Sequence, residues 1–383
     1  MNVFYEFDLR QINKKHEELC GDSVEFSAKP DIATLVFSDG LGSGVKASIL
    51  STLTTRIAAR MLDEGLPLDD VVQTISETLP ICRTRKIAYS TFTMAQLSAE
   101  GNGKLVAFDS PPPIVIRRHK ARDLHCEECE VAGKQIADYN FDLRPGDWLV
   151  QVSDGVLNAG IGGSYPLGWG WDNVVKYLEG HVDESLSAEQ LAKKLARVVV
   201  ELYDGPPGDD VSIAVIKARR KRMLVIFMGP PVNKKDDDRV VETLMSSPGR
   251  HVVCGGTTAN IVARHLGRGI IVELQTSTNE VPATGRIEGI DLVTEGTLTV
   301  TQTLDILRSG KSVEQLKPAT DGASALAVIL MEADAIKVLV GRAMNPAHQN
   351  PSLPRNLAIK PQVVRELAEE LKQRGKEVEI EYF

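Results

Sequence analysis

Two stretches of the sequence end an apolar run in the same three residues, Ser-Asp-Gly. The run TLVFSDG ends at Asp39 and Gly40. The run WLVQVSDG ends at Asp154 and Gly155. A carboxylate just beyond a strand is held by the sheet and can face a cleft, while the following glycine lets the backbone turn sharply. Two such strand ends brought together would form a concentrated acidic pocket.

Two further acidic positions flank predicted strands. Asp22 enters the first predicted strand in LCGDSVEF, and Asp209 and Asp210 precede a late strand in GPPGDDVSIAVI. Clustered carboxylates repel one another unless they are protonated or neutralised, and hard oxygen ligands favour Mg²⁺ or Mn²⁺. Each Asp-Gly or Asp-Asp pair taken alone is typical of a turn or a solvated loop. The recurrence of all four positions favours a metal site, and no H-E-x-x-H spacing suggests zinc there.

The composition restricts the classes of function. The chain has 383 residues, which favours two domains, and a net charge of −8 from 44 basic and 52 acidic side chains. That charge gives no reason to expect nucleic acid or an anionic membrane as partner. The start lacks the apolar core of a signal peptide, and no run approaches the roughly 20 apolar residues that span a bilayer. With only five cysteines, we expect a cytoplasmic protein.

The periodicity of the chain changes near residue 220. Before it, strands in a row with helices inserted at intervals predict antiparallel sheets covered by helices, an α+β domain over residues 1–219. After it, MLVIFMG, RHVVCGG and GIIVEL alternate with helical stretches. That alternation predicts a smaller α/β domain with parallel strands over residues 222–383, with a regulatory or docking role.

A helix is predicted directly after the first Ser-Asp-Gly. It starts at Val45, Gly65 ends it, and its apolar residues recur at helical spacing. Those apolar residues are Ala47, Leu50, Leu53, Ile57 and Met61. The preceding Gly42-Ser43-Gly44 suits anion binding at a helix start, but a tight turn that positions Asp39 is the favoured interpretation.

Six stretches of the first domain occur in the order typical of one family. Together they resemble the PPM-type metal-dependent Ser/Thr protein phosphatases, in the stage II sporulation protein E branch, over residues 20–216. The six stretches are GDS (21–23), FSDGLGSGVKA (37–47), STFTMAQL (90–97), DSPPPIVIRR (109–118), LRPGDWLVQVSDGV (143–156) and GDDVSIAVI (208–216).

The resemblance implies a β-sandwich flanked by helices with two Mn²⁺ or Mg²⁺ ions at one edge. In the family pattern Asp39 would bridge both ions, and Gly40 would contribute its carbonyl oxygen. Asp154 and Asp209 would hold one ion, and Asp22 would serve the other. Asp39, Asp154 and Asp209 would thus form the catalytic set, with Asp210 as a supporting or turn residue.

The implied activity is hydrolysis of phosphoserine or phosphothreonine in a phosphoprotein substrate, in bacterial signalling. Paired ions roughly 3.5–4 Å apart lower the pKa of a bridging water and neutralise the phosphoryl oxygens. Two departures from the family leave roles unassigned. Leu41 stands where eukaryotic relatives often have a proton-donating His, and CGDSVEFSAK lacks the Arg with which those relatives bind phosphate. The sequence therefore names neither a general acid nor a phosphate clamp.

Two other functions stay open. One is a non-catalytic binding module that retains the fold. The other is a phosphatase for a small phosphorylated metabolite, with the second domain closing over it. The full set of acidic positions argues against the first of these.

Two further motifs each have a functional and a structural interpretation. His119, His125, Cys126 and Cys129 could bind zinc, or they could lie in a hydrophilic hairpin with reduced cysteines. In the second domain, the segment 255–258 (Gly-Gly-Thr-Thr) joins a strand to a helix and could bind a phosphate or nucleotide. A plain structural turn is the alternative, because the Lys of a Walker A loop is missing. We therefore expect a regulatory ligand or partner at this domain without naming it.

Overall fold

The structure is a computed structural model that describes residues 3–42, 44–78, 90–278, 280–343 and 359–383. Ser43 of the glycine-rich turn lies outside the described residues. The chain divides into two compact units, Met1–Arg220 and Lys221–Phe383. None of the described helices is long and apolar enough to cross a bilayer.

Two mixed-order sheets build the first unit. Within the described residues its strands are β1 (Val3–Ile12), β2 (Asp22–Ala28), β3 (Ile32–Asp39), β4 (Phe92–Ser98), β5 (Asn102–Phe108), β6 (Ile114–Arg117), β7 (Lys120–Ala121), β8 (Cys126–Val131), β9 (Lys134–Asp142), β10 (Trp148–Val152) and β11 (Val211–Arg220). One sheet has the order β1-β11-β10-β6-β7 and the other β2-β3-β4-β5-β9-β8. Every strand pair in these two sheets is antiparallel, as the strand-rich pattern predicts.

Helices cover the outer face of each sheet. They are α1 (Gly44–Asp63), α2 (Leu68–Thr78), α3 (Asp154–Leu157), α4 (Trp171–His181) and α5 (Ala188–Tyr203). The inner faces of the two sheets share one apolar core, while α1 and α2 pack on one outer face and α4 and α5 on the other. The predicted β-sandwich flanked by helices is therefore confirmed.

Strand β3 shows why its sequence is almost continuously apolar. Leu35 and Phe37 point into the core between the sheets, and Val36 points to the helices on the other side. All three side chains are at most 3% exposed. Full burial of each such side chain contributes roughly 1.5–3 kcal/mol, so this strand fixes Asp39 firmly at its end.

Helix α1 forms where the sequence predicts it, but only part of its predicted apolar set is buried. Ala47 is buried, whereas Leu53 and Ile57 are 52% and 48% exposed. The buried face otherwise carries mainly small residues, among them Ser51 and Ala58. They are needed because the helix backbone comes very close to the end of β3, and larger side chains would push it away.

Strand β1 was not predicted from the sequence. It pairs antiparallel with β11 along its whole length, from Val3 opposite Arg220 to Ile12 opposite Val211. The first and last strands of the unit are therefore neighbours, and the pairing brings the segment after β1 to the segment before β11. This places Lys14 beside Asp209.

The second unit is a smaller α/β domain, as predicted. Its described strands are β12 (Met223–Met228), β13 (Arg250–Cys254), β14 (Ile271–Glu273), β15 (Thr284–Arg286), β16 (Leu292–Thr294), β17 (Ala335–Val340) and β18 (Glu377–Tyr382). Its described α-helices are α6 (Asp237–Ser246), α7 (Gly256–Leu266), α8 (Thr297–Arg308), α9 (Val313–Leu316), α10 (Gly322–Glu332) and α11 (Ile359–Gln373).

The sheet of this unit has the order β14-β15-β16-β13-β12-β17-β18. The strands β16, β13, β12, β17 and β18 pair in parallel, with helices packed on both faces. The prediction of a parallel strand for GIIVEL is wrong, since β14 pairs antiparallel with β15. This short pair lies at the edge, where a hairpin-like addition needs no crossover helix. The regulatory or docking role of the unit stays a prediction.

Candidate metal centre

In each Ser-Asp-Gly unit the serine ties the strand end to a neighbouring segment. The Ser38 hydroxyl donates to the Thr91 carbonyl at 2.6 Å. The Ser153 hydroxyl donates to the Asp210 carbonyl at 3.2 Å and accepts from the Ser212 N–H at 2.9 Å. Both serines are almost fully buried. The aspartate that follows each serine is thereby held in a defined position.

In each unit the glycine allows another piece of backbone to come into contact. A Cβ on Gly40 would lie 2.3 Å from the Ala47 carbonyl oxygen. A Cβ on Gly155 would lie 2.0 Å from the Asp210 carbonyl oxygen. Real Cβ atoms do not approach backbone oxygens so closely, so only glycine fits either position. The repeated tripeptide therefore serves close packing beside each carboxylate.

Asp22 and Asp39 form one acidic pair. They lie directly opposite each other on β2 and β3, and side chains at such positions have Cβ atoms about 4.5–5.5 Å apart. Asp22 is only 5% exposed, and neither of its carboxylate oxygens has a hydrogen-bond partner. A buried carboxylate without a partner is strongly disfavoured. The arrangement therefore favours a proton or a cation at this pair.

Asp154 and Asp209 form the second acidic pair. Asp154 follows β10 and Asp209 precedes β11, and these antiparallel neighbours place both residues at the same end of their sheet. The side chain of Gln11 links this sheet to the other one. Its Nε2 donates to the Asp22 carbonyl at 3.3 Å and to the Ser212 hydroxyl at 3.0 Å. The two acidic pairs thus meet at one edge of the sandwich.

The electrostatics show that the four carboxylates act on one another. Burial, and then the charges of Asp22, Asp154 and Asp209, raise the pKa of Asp39 to about 9. Burial raises the pKa of Asp22 to about 7, and the Asp210 charge adds to that rise. The pKa of Asp154, which is more open to solvent, is raised by partial desolvation and by Asp209. Asp39 is the residue on which all of these charges converge.

Lys14 is a site residue that sequence reasoning missed. Its Nζ lies 3.4 Å from Asp209 Oδ1, and its charge lowers the pKa of Asp154. Its backbone N–H donates to Asp210 Oδ1 at 2.9 Å. Asp210 is therefore a buried tether for the segment that carries Lys14, in line with its predicted supporting role. Without the β1–β11 pairing, the sequence carries no signal that connects Lys14 to the acidic residues.

Tyr203 is a second residue that sequence reasoning missed. Its hydroxyl donates to the Gly155 carbonyl at 2.6 Å. Burial, and then the charges of Asp209 and Asp154, raise the pKa of Tyr203 to about 12. The phenol therefore stays protonated, and it holds the backbone directly after Asp154.

The chemistry of the donors fits hard divalent cations. The charges of four carboxylates act on one another, and the buried oxygens of Asp22 have no hydrogen-bond partner. The described residues nevertheless contain no group of three or more His, Cys, Asp or Glu side chains already drawn together as a metal site. Cys20 lies beside Asp22, but burial raises the pKa of its thiol to about 12. A protonated thiol is a poor ligand, so the set is one of oxygen donors.

The raised pKa values predict how stability depends on pH when metal is removed. In the folded protein Asp39 and Asp22 bind protons that the unfolded chain has released, because their unfolded pKa values lie near 4. The free energy of unfolding should therefore fall as pH rises from about 5 to 8.5 in EDTA. Urea titrations at several pH values measure this, and Mn²⁺ should reduce the fall.

The matched variants are Asp39→Asn, which should flatten the pH dependence, and Asp31→Asn at an exposed position, which should leave it unchanged. A metal-free protein equally stable across this range, or an Asp39→Asn variant with the wild-type slope, would contradict the described electrostatics.

The cysteine-rich stretch is placed unfavourably for a shared zinc ion. Cys126 and Cys129 are both exposed and both lie on β8, opposite Tyr139 and Ile136 of β9. Residues three apart on a strand point to opposite faces of the sheet. The geometry favours the alternative of a hydrophilic hairpin with free thiols.

In the glycine-threonine segment of the second unit, some groups serve the packing of the fold and others are exposed. Gly255 has φ +116°, a conformation that favours glycine, and α7 begins at Gly256 without a side-chain cap. The Thr258 hydroxyl accepts a hydrogen bond from the Gly229 N–H at 3.0 Å, whereas Thr257 is exposed. One of the two hydroxyls therefore serves packing. Anion or nucleotide binding here stays a prediction.

Comparison with known proteins finds a family match within the first unit. Residues 30–219 match the family profile of stage II sporulation protein E. The stage II sporulation protein E of Bacillus subtilis (strain 168) is 22% identical over 213 residues, which cover 51% of this chain and 24% of that protein. The chain thus spans about a quarter of the length of this curated relative.

Similar solved structures cover the same part of the chain. The PP2C phosphatase domain of SpoIIE from Bacillus subtilis, with a fragment of its regulatory domain, has a TM-score of 0.48 at 18% identity, over 57% of this chain and 63% of that one. The RsbU and RsbW domains of Rv1364c from Mycobacterium tuberculosis have a TM-score of 0.45 at 15% identity, over 63% and 70%. At these TM-scores the likenesses carry no assignment of residues or activity. The family match ends at residue 219, before the second unit begins.

Proposed function

Because residues 30–219 form a domain of the stage II sporulation protein E family, we propose that the chain is a metal-dependent phosphatase. It hydrolyses phosphoserine or phosphothreonine in a protein substrate, in bacterial signalling. The observation that carries the proposal is the meeting of two acidic pairs at one edge of the sandwich, with the Asp22 carboxylate buried and unpartnered.

Each acidic residue has a proposed role at two Mn²⁺ or Mg²⁺ ions. Asp39 would be a ligand to both ions, and the Gly40 carbonyl oxygen would be a further ligand. Asp154 and Asp209 would hold one ion, and Asp22 would hold the other. Such a pair of ions would supply an activated water and neutralise the charge of the phosphoryl oxygens.

The residues around the carboxylates position them and receive the phosphate. Lys14 supplies a positive charge 3.4 Å from Asp209, and we assign it the contact with the phosphate oxygens that the missing Arg would make. Tyr203 fixes the Gly155 carbonyl, and with it the direction in which Asp154 points. Leu41 occupies the position where eukaryotic relatives often have a His, so the proton donor to the leaving group would be another residue or a metal-bound water.

The second unit would regulate the phosphatase or dock a partner. This proposal rests on its separate compact fold and on the uncapped start of α7. The remaining alternatives, a binding module without activity and a phosphatase for a small metabolite, predict different results in the assay below.

The test is hydrolysis of p-nitrophenyl phosphate and of a phosphothreonine peptide, with and without Mn²⁺. Wild-type protein should turn both over only with Mn²⁺, and Asp154→Asn should lose at least about 100-fold, since even residues that merely support a metal ligand cost 10–100-fold. The control Asp172→Asn changes an exposed acid on α4 and should keep wild-type activity.

Each alternative has its own result in that assay. Mn²⁺ binding without turnover of either substrate would indicate a binding module and refute the proposal. Turnover of the small ester with none of the peptide would favour a metabolite substrate. Turnover that persists in EDTA would rule out the metal mechanism.

A further inference from the structure

A groove runs along the exposed face of α5. Two adjoining shallow depressions of about 290 and 500 Å³ share Lys193 and Arg197 in their walls, so they form one continuous open groove. We call it the α5 groove. The residues that line it are Arg10, Leu186, Gln190, Lys193, Lys194, Ala196, Arg197, Val200 and Glu201.

The charge of the α5 groove is opposite to that of the chain. Four of its lining residues are basic and one is acidic, whereas the chain carries −8. Arg10 and Lys193 are already paired, both with Glu189 and Arg10 also with Asp8.

Lys194 and Arg197 differ from those two. They are exposed, and neither has an ion-pair partner among the described residues. Two positive charges are therefore available to a negatively charged partner.

The groove also has an apolar component. Val200 is 43% exposed, and Ala196 and Leu186 lie along the same wall. Apolar contact beside unpaired cations suits a polypeptide with mixed acidic and apolar side chains. The phosphate backbone of a nucleic acid would bind the cations and make no use of the apolar wall.

The groove ends near the C-terminal end of α5, about one helical turn before Tyr203. From Gln190 to Val200 it extends about 15 Å, at 1.5 Å per helical residue. One turn after Val200, Tyr203 donates its hydrogen bond to the Gly155 carbonyl, next to Asp154. An extended peptide of about five residues spans the groove at roughly 3.3 Å per residue.

We propose that the α5 groove binds an acidic segment of the phosphoprotein substrate and guides its phosphorylated residue to the carboxylates. This inference rests on the proposed phosphatase function and adds the class of substrate. The segment lies along α5, its carboxylates pair with Lys194 and Arg197, and an apolar side chain contacts Val200.

The test compares two phosphothreonine peptides, one flanked on each side by three glutamates and the other by three glutamines. With Mn²⁺ present, wild-type kcat/KM should favour the acidic peptide by about 10-fold or more at low salt, and 0.3 M NaCl should reduce this preference. Lys194→Glu with Arg197→Glu should abolish the preference, chiefly by lowering kcat/KM for the acidic peptide. The control Lys234→Glu with Lys235→Glu makes the same charge change at exposed positions of the second unit and should keep it.

A binding measurement separates failure of this inference from failure of the phosphatase proposal. Fluorescence anisotropy of the labelled acidic peptide in EDTA requires no turnover. The inference is supported, even without hydrolysis, if wild type binds the acidic peptide more tightly than the neutral one and the α5 double variant does not. Equal binding of both peptides by wild type, or a preference unchanged in the double variant, overturns it. A further outcome would also overturn the inference. If the double variant lost binding to phosphatidylserine vesicles but kept the wild-type preference between the peptides, the groove would be a membrane-binding surface.

Discussion

Replacing Asp39 by asparagine should abolish Mn²⁺-dependent turnover and yet make the metal-free protein harder to unfold. Asp39 lies where the charges of Asp22, Asp154 and Asp209 converge, and these charges together with burial raise its pKa to about 9. In the proposed centre an amide would remove the negative charge shared by both ions, so turnover should fall by more than about 100-fold. Without metal and below about pH 9, folded Asp39 must bind a proton that the unfolded chain has released, and an amide removes that cost.

Chemical unfolding in EDTA at pH 8 measures the second half of this prediction. We expect the free energy of unfolding of Asp39→Asn to exceed that of wild type by at least about 1 kcal/mol, since one pKa unit corresponds to 1.36 kcal/mol. Added Mn²⁺ should stabilise wild type far more than the variant. A variant that is inactive and also less stable in EDTA would indicate a purely structural role for Asp39.

Adding a single methyl group to the glycine of either Ser-Asp-Gly unit should cost both stability and metal binding. The new Cβ of Gly40→Ala would meet the Ala47 carbonyl oxygen at 2.3 Å, and that of Gly155→Ala the Asp210 carbonyl oxygen at 2.0 Å. Both oxygens belong to backbone held by packing, so the strand end must move. Overpacking costs typically 1–3 kcal/mol, and the shift displaces Asp39 or Asp154 from the other carboxylates.

Thermal unfolding and Mn²⁺ titration of each variant measure the two effects. The matched control is Gly180→Ala, because a Cβ there meets nothing within 4 Å and the residue lies in α4. Alanine is about 1 kcal/mol better than glycine in a helix, so this control should be as stable as wild type or more stable. Wild-type Mn²⁺ affinity in Gly40→Ala or Gly155→Ala would show that the close contacts do not position the carboxylates.

The sequence predicted the site best where the functional residues are neighbours in the chain. The Ser-Asp-Gly repeats marked the two strand ends because serine tether, carboxylate and glycine are neighbours in the chain. The role of glycine could be expected from its conformational freedom. The actual reason in both units, contact with a distant carbonyl, depends on tertiary packing and appears only in the structure.

The residues that the sequence did not reveal depend on contacts between distant segments. Lys14 reaches Asp209 only because β1 and β11 pair over a separation of about 200 residues. Helix α1 shows the same limit. Helical spacing alone favoured Leu53 and Ile57 as buried, whereas the close approach of the helix to Gly40 selects small residues on its packed face.

In the second unit, the periodicity of the sequence predicts the fold class but not the direction of every strand. Continuous apolar strands such as β12 predicted a parallel sheet buried on both faces, and that fold class is confirmed. The three-residue strands β14 and β15 are too short to carry a pattern that distinguishes a parallel neighbour from an antiparallel one. Their direction follows from the connection between them.

The most direct test of the metal centre is an anomalous diffraction map of crystals grown with Mn²⁺. We expect two peaks roughly 3.5–4 Å apart, with Asp39 between them, Asp22 at one peak, and Asp154 and Asp209 at the other. In crystals of Asp39→Asn at least one of the two peaks should be lost. A wild-type map with no peak among these four carboxylates would contradict the proposal that the two Ser-Asp-Gly units are walls of one metal site.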